Sequence, residues 1–175
     1  PVWHLTFTGW VVAALVAFGL DLTLLSVGLF WLALVVAVAI WSISLQQFSR
    51  ETVPAPLRPL LAIHLAPAAL LCSVATSFHA VATAQAFALI ATLGLATLVV
   101  RARWLLAAGF SPLWGALTFP LAATANAWMA LGGVWRLPGG VMLVAATLII
   151  PPIAFRILKL WAKGQLAVKT NAATA

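Results

Sequence analysis

The chain has 175 residues, 65% of them apolar and only 6% charged, with a mean hydropathy of +1.18. A soluble domain carries about 25% charged residues, so nine bases and two acids cannot clothe a chain of this length in water, and the bilayer is the solvent that fits. The net charge of +7 does not point to nucleic acid, because the bases sit at the ends of apolar runs and form no stripe interleaved with aromatics.

The lone cysteine, Cys72, cannot form an internal disulfide, and no Cys/His spacing suggests a metal, so neither metal nor cofactor is expected. His4, His64 and His79 are scattered along the chain without a partner at ligand spacing. The chain opens at Pro1 with no charged leader and no small-residue cleavage site, which reads as a fragment whose upstream part is missing rather than as a signal peptide.

A transmembrane helix needs about 20 mostly apolar residues. The run from Leu5 to Phe48 accommodates two, with a turn at Asp21, the only ionised residue inside it; this predicts spans at about 3–20 and 22–48. The stretch SRETVPAPLRP (49–59) brings three prolines and three charges and ends any helix. A third span is expected at about 58–79 and a fourth at about 81–101, separated by a short turn around His79, with RARW closing the fourth. The fifth is expected at about 111–131, the glycine-rich LGGVWRLPGG follows, and the sixth runs from about 140 to 161 before a basic tail, 162–175. The fold class predicted is therefore an all-α integral membrane protein of six transmembrane helices, paired as three antiparallel hairpins.

Six spans put Arg50, Arg58, Arg101, Arg103, Arg156, Lys159, Lys163 and Lys169 on one face and Arg136 alone on the other. This positive-inside asymmetry places the C-terminus, and with it Pro1, in the cytoplasm. Trp104 and Trp161 near the basic side and Trp135 on the other suit the interfacial aromatic belts, though each also suits ordinary lipid-facing surface.

The third span holds Pro67 (IHLAPAALLC) and the fifth holds Pro120 (LTFPLAA), whereas the second and fourth hold no internal proline. A proline inside a helix frees the carbonyl four residues earlier, here those of Ile63 and Ala116. In a membrane such a group is tolerated against protein or a water-filled cavity, so the third and fifth helices are expected inside and the second and fourth toward lipid. The alternative is that both kinks only shape packing.

Four-residue steps on the fifth helix give the face Ser111, Gly115, Phe119, Ala123, Ala127, small at every position but Phe119. The ring either plugs a conduit or fills a hole made by a neighbouring kink. The same steps on the third helix give His64, Ala68, Cys72 and Thr76, a small and mildly polar stripe that makes His64 a pore-lining candidate or a neutral histidine bonded to a backbone carbonyl. Gln85, Asn126 and Thr118 are weaker candidates. With no acid inside a span, apart from Asp21 at an edge, cation-binding machinery is not expected, and a wet path of backbone and hydroxyls would suit an anion. No acid pair, metal cluster or Ser/His/acid set points to an enzyme.

Two stretches, PAPLRPLLAIHLAPAALL (54–71) and GFSPLWGALTFPLAATANAW (109–128), resemble the tellurite-resistance/dicarboxylate transporter family, which includes TehA-like bacterial proteins, yeast malate permeases and plant slow anion channels. The resemblance implies a ten-helix, five-hairpin pore fold, with odd helices inside and proline- or glycine-kinked, and a phenylalanine of the ninth helix closing the pore. The six spans here would be its helices five to ten, Phe119 would match the gate, and Pro67 and Pro120 would match the kinks. It further implies a homotrimer in a bacterial inner membrane and transport of C4-dicarboxylate, tellurite or inorganic anions. The first four helices of that fold are missing, so this stretch alone is not expected to transport. An alternative from another class is a membrane anchor or assembly subunit of a redox complex, which would need paired histidines around a haem.

The charge asymmetry makes one direct prediction. A reporter active only in the periplasm, fused after Ala175, should stay silent; strong activity there would invert the topology.

Overall fold

A computed structural model describes residues 1–166. Lys169 and most of the expected tail lie outside the described residues. Among those described, the chain is all-helical: α1 (Trp3–Phe7), α2 (Trp10–Gly19), α3 (Thr23–Arg50), α4 (Leu65–Ser77), α5 (Val81–Val100), α6 (Ala102–Leu105), α7 (Thr118–Leu131) and α8 (Arg136–Ala162). Tight 3-10 segments precede three of them: Ala55–His64 before α4, Pro112–Leu117 before α7 and Gly133–Trp135 before α8.

Four segments are long and apolar enough to cross a bilayer: Thr23–Arg50, Ala55–Ser77, Val81–Val100 and Gly133–Ala162. The expected first and fifth spans take another form. The first is interrupted between α1 and α2, where the Thr8 hydroxyl donates to the carbonyl of His4 and the chain tightens to three-residue bonds, Val11 N–H to Thr8 and Val12 N–H to Gly9. The fifth is the second 3-10 segment followed by α7, whose 14 residues are about 21 Å of helix, short of the hydrocarbon thickness.

Proline explains the shared shape of the third and fifth elements. Pro67 is the third residue of α4 and Pro120 the third of α7, each just after a 3-10 segment. Neither proline can donate to the carbonyl four residues back. Winding the preceding residues at three per turn offers those carbonyls, of Ile63 and Ala116, an N–H three residues on instead. The prolines thus mark a junction between two kinds of helix rather than a bend in one α-helix. The paired prolines Pro151 and Pro152 lie within α8, which continues past them.

The turns fall where the polar residues predict. Asp21 and His79 both adopt left-handed φ, 60° and 56°. In each turn the next N–H, of Leu22 or Ala80, reaches back to a helix carbonyl, of Ala17 or Ala75, at 2.9 Å. A left-handed residue just past the helix end closes the last turn in this way, so His79 is a turn residue, exposed at the surface.

Sequential helices pack together, α2 with α3, α4 with α5 and α7 with α8, and α4 also packs against α2 and α7. α4 is the hub: 61% of the apolar stretch containing it is buried, against 28%, 22% and 17% for those of α3, α5 and α8. Its alanines, Ala66, Ala68, Ala69 and Ala75, are all buried, and small side chains let helix backbones approach where lipid gives no hydrophobic push. α4 is therefore the inner helix, and α3, α5 and α8 present most of their surface outward.

The α7–α8 contact is the tightest. A Cβ on Gly139 would lie 2.8 Å from the backbone nitrogen of Met129 and 3.1 Å from the carbonyl carbon of Trp128, atoms that cannot step aside. Beside it, Gly140 has open space around its Cα. Gly139→Ala should therefore force the helices apart and lower stability by about 1–3 kcal/mol, whereas Gly140→Ala should be neutral or gain up to about 1 kcal/mol from helix propensity. Thermal unfolding of both variants in detergent checks this; equal melting temperatures would disprove the close approach.

Candidate functional site

The fifth element carries the gate residue expected from sequence. Phe119 is the second residue of α7, directly after the 3-10 junction, and is 50% exposed. It shares an open face with Ala122, Asn126 and Ala130, all exposed. This face differs from the one drawn by four-residue steps. Ala127 is fully buried, Ala123 packs against the core, and a Cβ on Gly115 would meet the side chain of Ile157 on α8 at 3.3 Å. Two effects turn them away. Each four-residue step over-rotates an α-helix by about 40°, and the 3-10 winding of Pro112–Leu117 resets the register before α7 begins. Thr118 is partly buried and donates its hydroxyl to the carbonyl of Gly115 at 2.7 Å. Gln85 is exposed on α5.

The stripe on α4 is likewise turned inward. Ala68 and Cys72 are buried, and Thr76, partly buried, donates its hydroxyl to the carbonyl of Cys72 at 2.8 Å. The thiol of Cys72 sits in the main apolar core with Ala69, Val74 and Ala75.

His64 has a partner that spacing did not suggest. His4 Nε2 and His64 Nδ1 lie 3.0 Å apart across sixty positions of sequence, with the rings nearly perpendicular at 87°. The two histidines are neither isolated nor bonded through their rings to backbone carbonyls. The backbone carbonyl of His64 accepts the indole N–H of Trp41 at 3.2 Å, the Trp41 ring lies 5.8 Å from that of His4, and Phe48 packs edge-on to His64. Three separate parts of the chain, α1, α3 and the first 3-10 segment, thus close around one hydrogen bond. One ring must donate and the other accept, so the accepting ring is neutral at that nitrogen. The outer nitrogens, His4 Nδ1 and His64 Nε2, are buried and have no partner. The signal available in sequence was generic: ionisable groups inside apolar segments usually pair with one another.

The facing nitrogens of this pair share one proton at 3.0 Å, closer than the separation of about 4 Å that two nitrogens on one metal would take. Among the described residues no group of three or more His, Cys, Asp or Glu side chains is placed to hold a metal.

The motif residues at the basic end also gain roles that spacing did not show. Arg58 stacks 4.3 Å over the ring of Trp104, donates Nε–H to the carbonyl of Val53 at 3.0 Å and Nη1–H to that of Trp104 at 3.2 Å. It pins the first 3-10 segment to α6. Trp114 donates to the carbonyl of Gly109 at 2.9 Å and packs on Phe110, over which Arg156 sits at 5.3 Å. No family model, curated protein or solved structure matches the chain.

The histidine contact predicts coupling. His4→Ala and His64→Ala should each lower stability, and the double variant should lose less than their sum. Because the hydrogen bond is made once, the coupling should be about 1 kcal/mol. A thermodynamic cycle from unfolding in detergent measures it, and strict additivity would show that the rings do not interact.

Proposed function

We propose that the chain is a non-enzymatic, pore-forming part of a transporter of small anions, C4-dicarboxylates, tellurite or inorganic anions, with Phe119 as the plug of a central conduit. The observation that carries this reading is the exposure of Phe119: a large ring stands half open at the start of α7, on a face that also holds Ala122, Asn126, Met129 and Ala130. A ring that merely filled a core would be covered. An apolar constriction stops ions by excluding water, and the 3-10 junction before Pro120 fixes where that ring projects. The helical architecture, with its proline-bearing third and fifth elements, suits the ten-helix, five-hairpin pore fold implied by the two sequence motifs.

Charge supports an anion. The two acids lie outside the apolar helix interiors, Asp21 in a turn and Glu51 just after α3, while the bases gather at the helix ends expected in the cytoplasm. In this reading the protein is a homotrimer in a bacterial inner membrane, its C-terminus cytoplasmic. The alternative is a membrane anchor or assembly subunit of a redox complex, which a Soret band in the absorbance spectrum of the purified protein would support.

Phe119→Ala in the full-length protein, reconstituted in liposomes with chloride, nitrate or malate, should raise anion flux. Its melting temperature should stay near that of the parent, because a half-exposed ring leaves little cavity. A core ring would instead cost about 3–5 kcal/mol on truncation. Lower stability with no rise in flux would overturn the gate.

A further inference from the structure

A groove of about 630 Å³ opens on the outer side of the bundle, between α3 and α5, with the first 3-10 segment and the start of α4 as its floor. Its walls are apolar: Trp41 and Phe48 from α3, Leu93 and Leu98 from α5. Gly94 deepens it, since α5 there has no side chain to fill the space above Leu65. Such a volume lies within the range of small-ligand sites.

Its length and its two ends are informative. Along α5 it runs from Ile90 to Arg101, about 16 Å at 1.5 Å per residue. That matches one leaflet, half of a hydrocarbon core about 30 Å thick. One end lies near the helix middle, at Ile90. The other reaches Arg101 and Trp104, where the apolar run of α5 stops and bases begin. Arg58 is held over Trp104 at that end, with two of its nitrogens already donating to carbonyls. Arg101 is exposed, and its guanidinium has no hydrogen-bond or ion-pair partner among the described residues.

We propose that this groove holds one acyl chain of an anionic phospholipid, with the lipid phosphate on Arg101. The apolar walls take a chain one leaflet long, and the cationic mouth stands at the depth of the headgroups. Basic pockets between helices on the cytoplasmic side are recognised by anionic headgroups in this way. A zwitterionic lipid would fill the same walls but gain less at the mouth. Phe119 does not line the groove, although His64 and Ala68 do, so the test reads lipid retention rather than anion flux.

Native mass spectrometry of the full-length protein tests it, after equilibration with phosphatidylglycerol and phosphatidylcholine of identical chains. The parent should retain one phosphatidylglycerol per copy in preference to phosphatidylcholine. Arg101→Gln should weaken that preference about fivefold, and Arg136→Gln, on the far side, should not. Thr97→Trp places an indole in the groove from an exposed position and should remove both lipids with the melting temperature unchanged. Equal retention of the two lipids, or equal effects of the Arg101 and Arg136 changes, would overturn the site. Displacement of the lipid by soluble glycerol phosphate would overturn it in favour of a free-anion site. Conversion of an oligomer to monomers by Thr97→Trp would overturn it in favour of a second copy of the chain.

Discussion

The carbonyls of Ile63 and Ala116 have no amide four residues on to bond with, because proline occupies positions 67 and 120. In water this would matter little. In a bilayer an unpaired backbone group costs several kcal/mol, so the chain must resolve it internally. A 3-10 segment, Ala55–His64 or Pro112–Leu117, stands before each α-helix, and its tighter winding aims a carbonyl at the N–H three residues on rather than four. Ten residues is long for a 3-10 run, and the ring of Pro59 opposes α-winding there, because it would crowd the carbonyl of Ala55. The two junctions pack against each other, so the constraint imposed twice in sequence is met at one place in space.

Much of the remaining architecture follows from those junctions. A 3-10 segment rises more steeply than an α-helix and turns side chains through 120° per residue. It therefore sets the angle at which α4 and α7 present their faces. On α4 the outcome is burial on nearly every side, with alanines drawing α2, α5 and α7 close. On α7 the outcome is asymmetric: Leu121, Thr124, Ala125 and Trp128 turn inward, and Phe119 is left on the open side. The same segment that ends at His64 delivers its ring to His4 and its Arg58 to Trp104. Backbone satisfaction, helix packing and the placement of the polar side chains are thus one arrangement.

The polar groups buried in this arrangement are few and specific. The histidine pair satisfies one nitrogen on each ring and leaves the other without a partner, a cost of about 1–3 kcal/mol per group. Trp41 offsets part of this by bonding the His64 carbonyl and packing on His4. Because α1 contributes His4, this contact also ties the first, short helix to the bundle. Near the end of α7, the rings of Trp128 and Trp135 meet at a tilt of 39°, 5.7 Å apart, beside the close approach of Gly139. Aromatic contacts thus lock the helix ends, where small residues alone would let them slide.

The sequence by itself determined the solvent, the helical class, the turns at Asp21 and His79, and the prolines that single out the third and fifth elements. These are local properties: hydropathy over some twenty residues decides membrane or water, and a missing N–H acts on the carbonyl four residues away. Only the tertiary structure decided which faces those helices present. A helix apolar all round carries no stripe to show its inner side, so four-residue steps placed Ala68, Cys72 and Ala127 on an open face, although they are buried. The same limit hid the meeting of His4 with His64, the stacking of Arg58 on Trp104 and the groove between α3 and α5. Each depends on how helices distant in sequence are rotated against one another, and that rotation is set by close packing over the whole bundle rather than by any one segment.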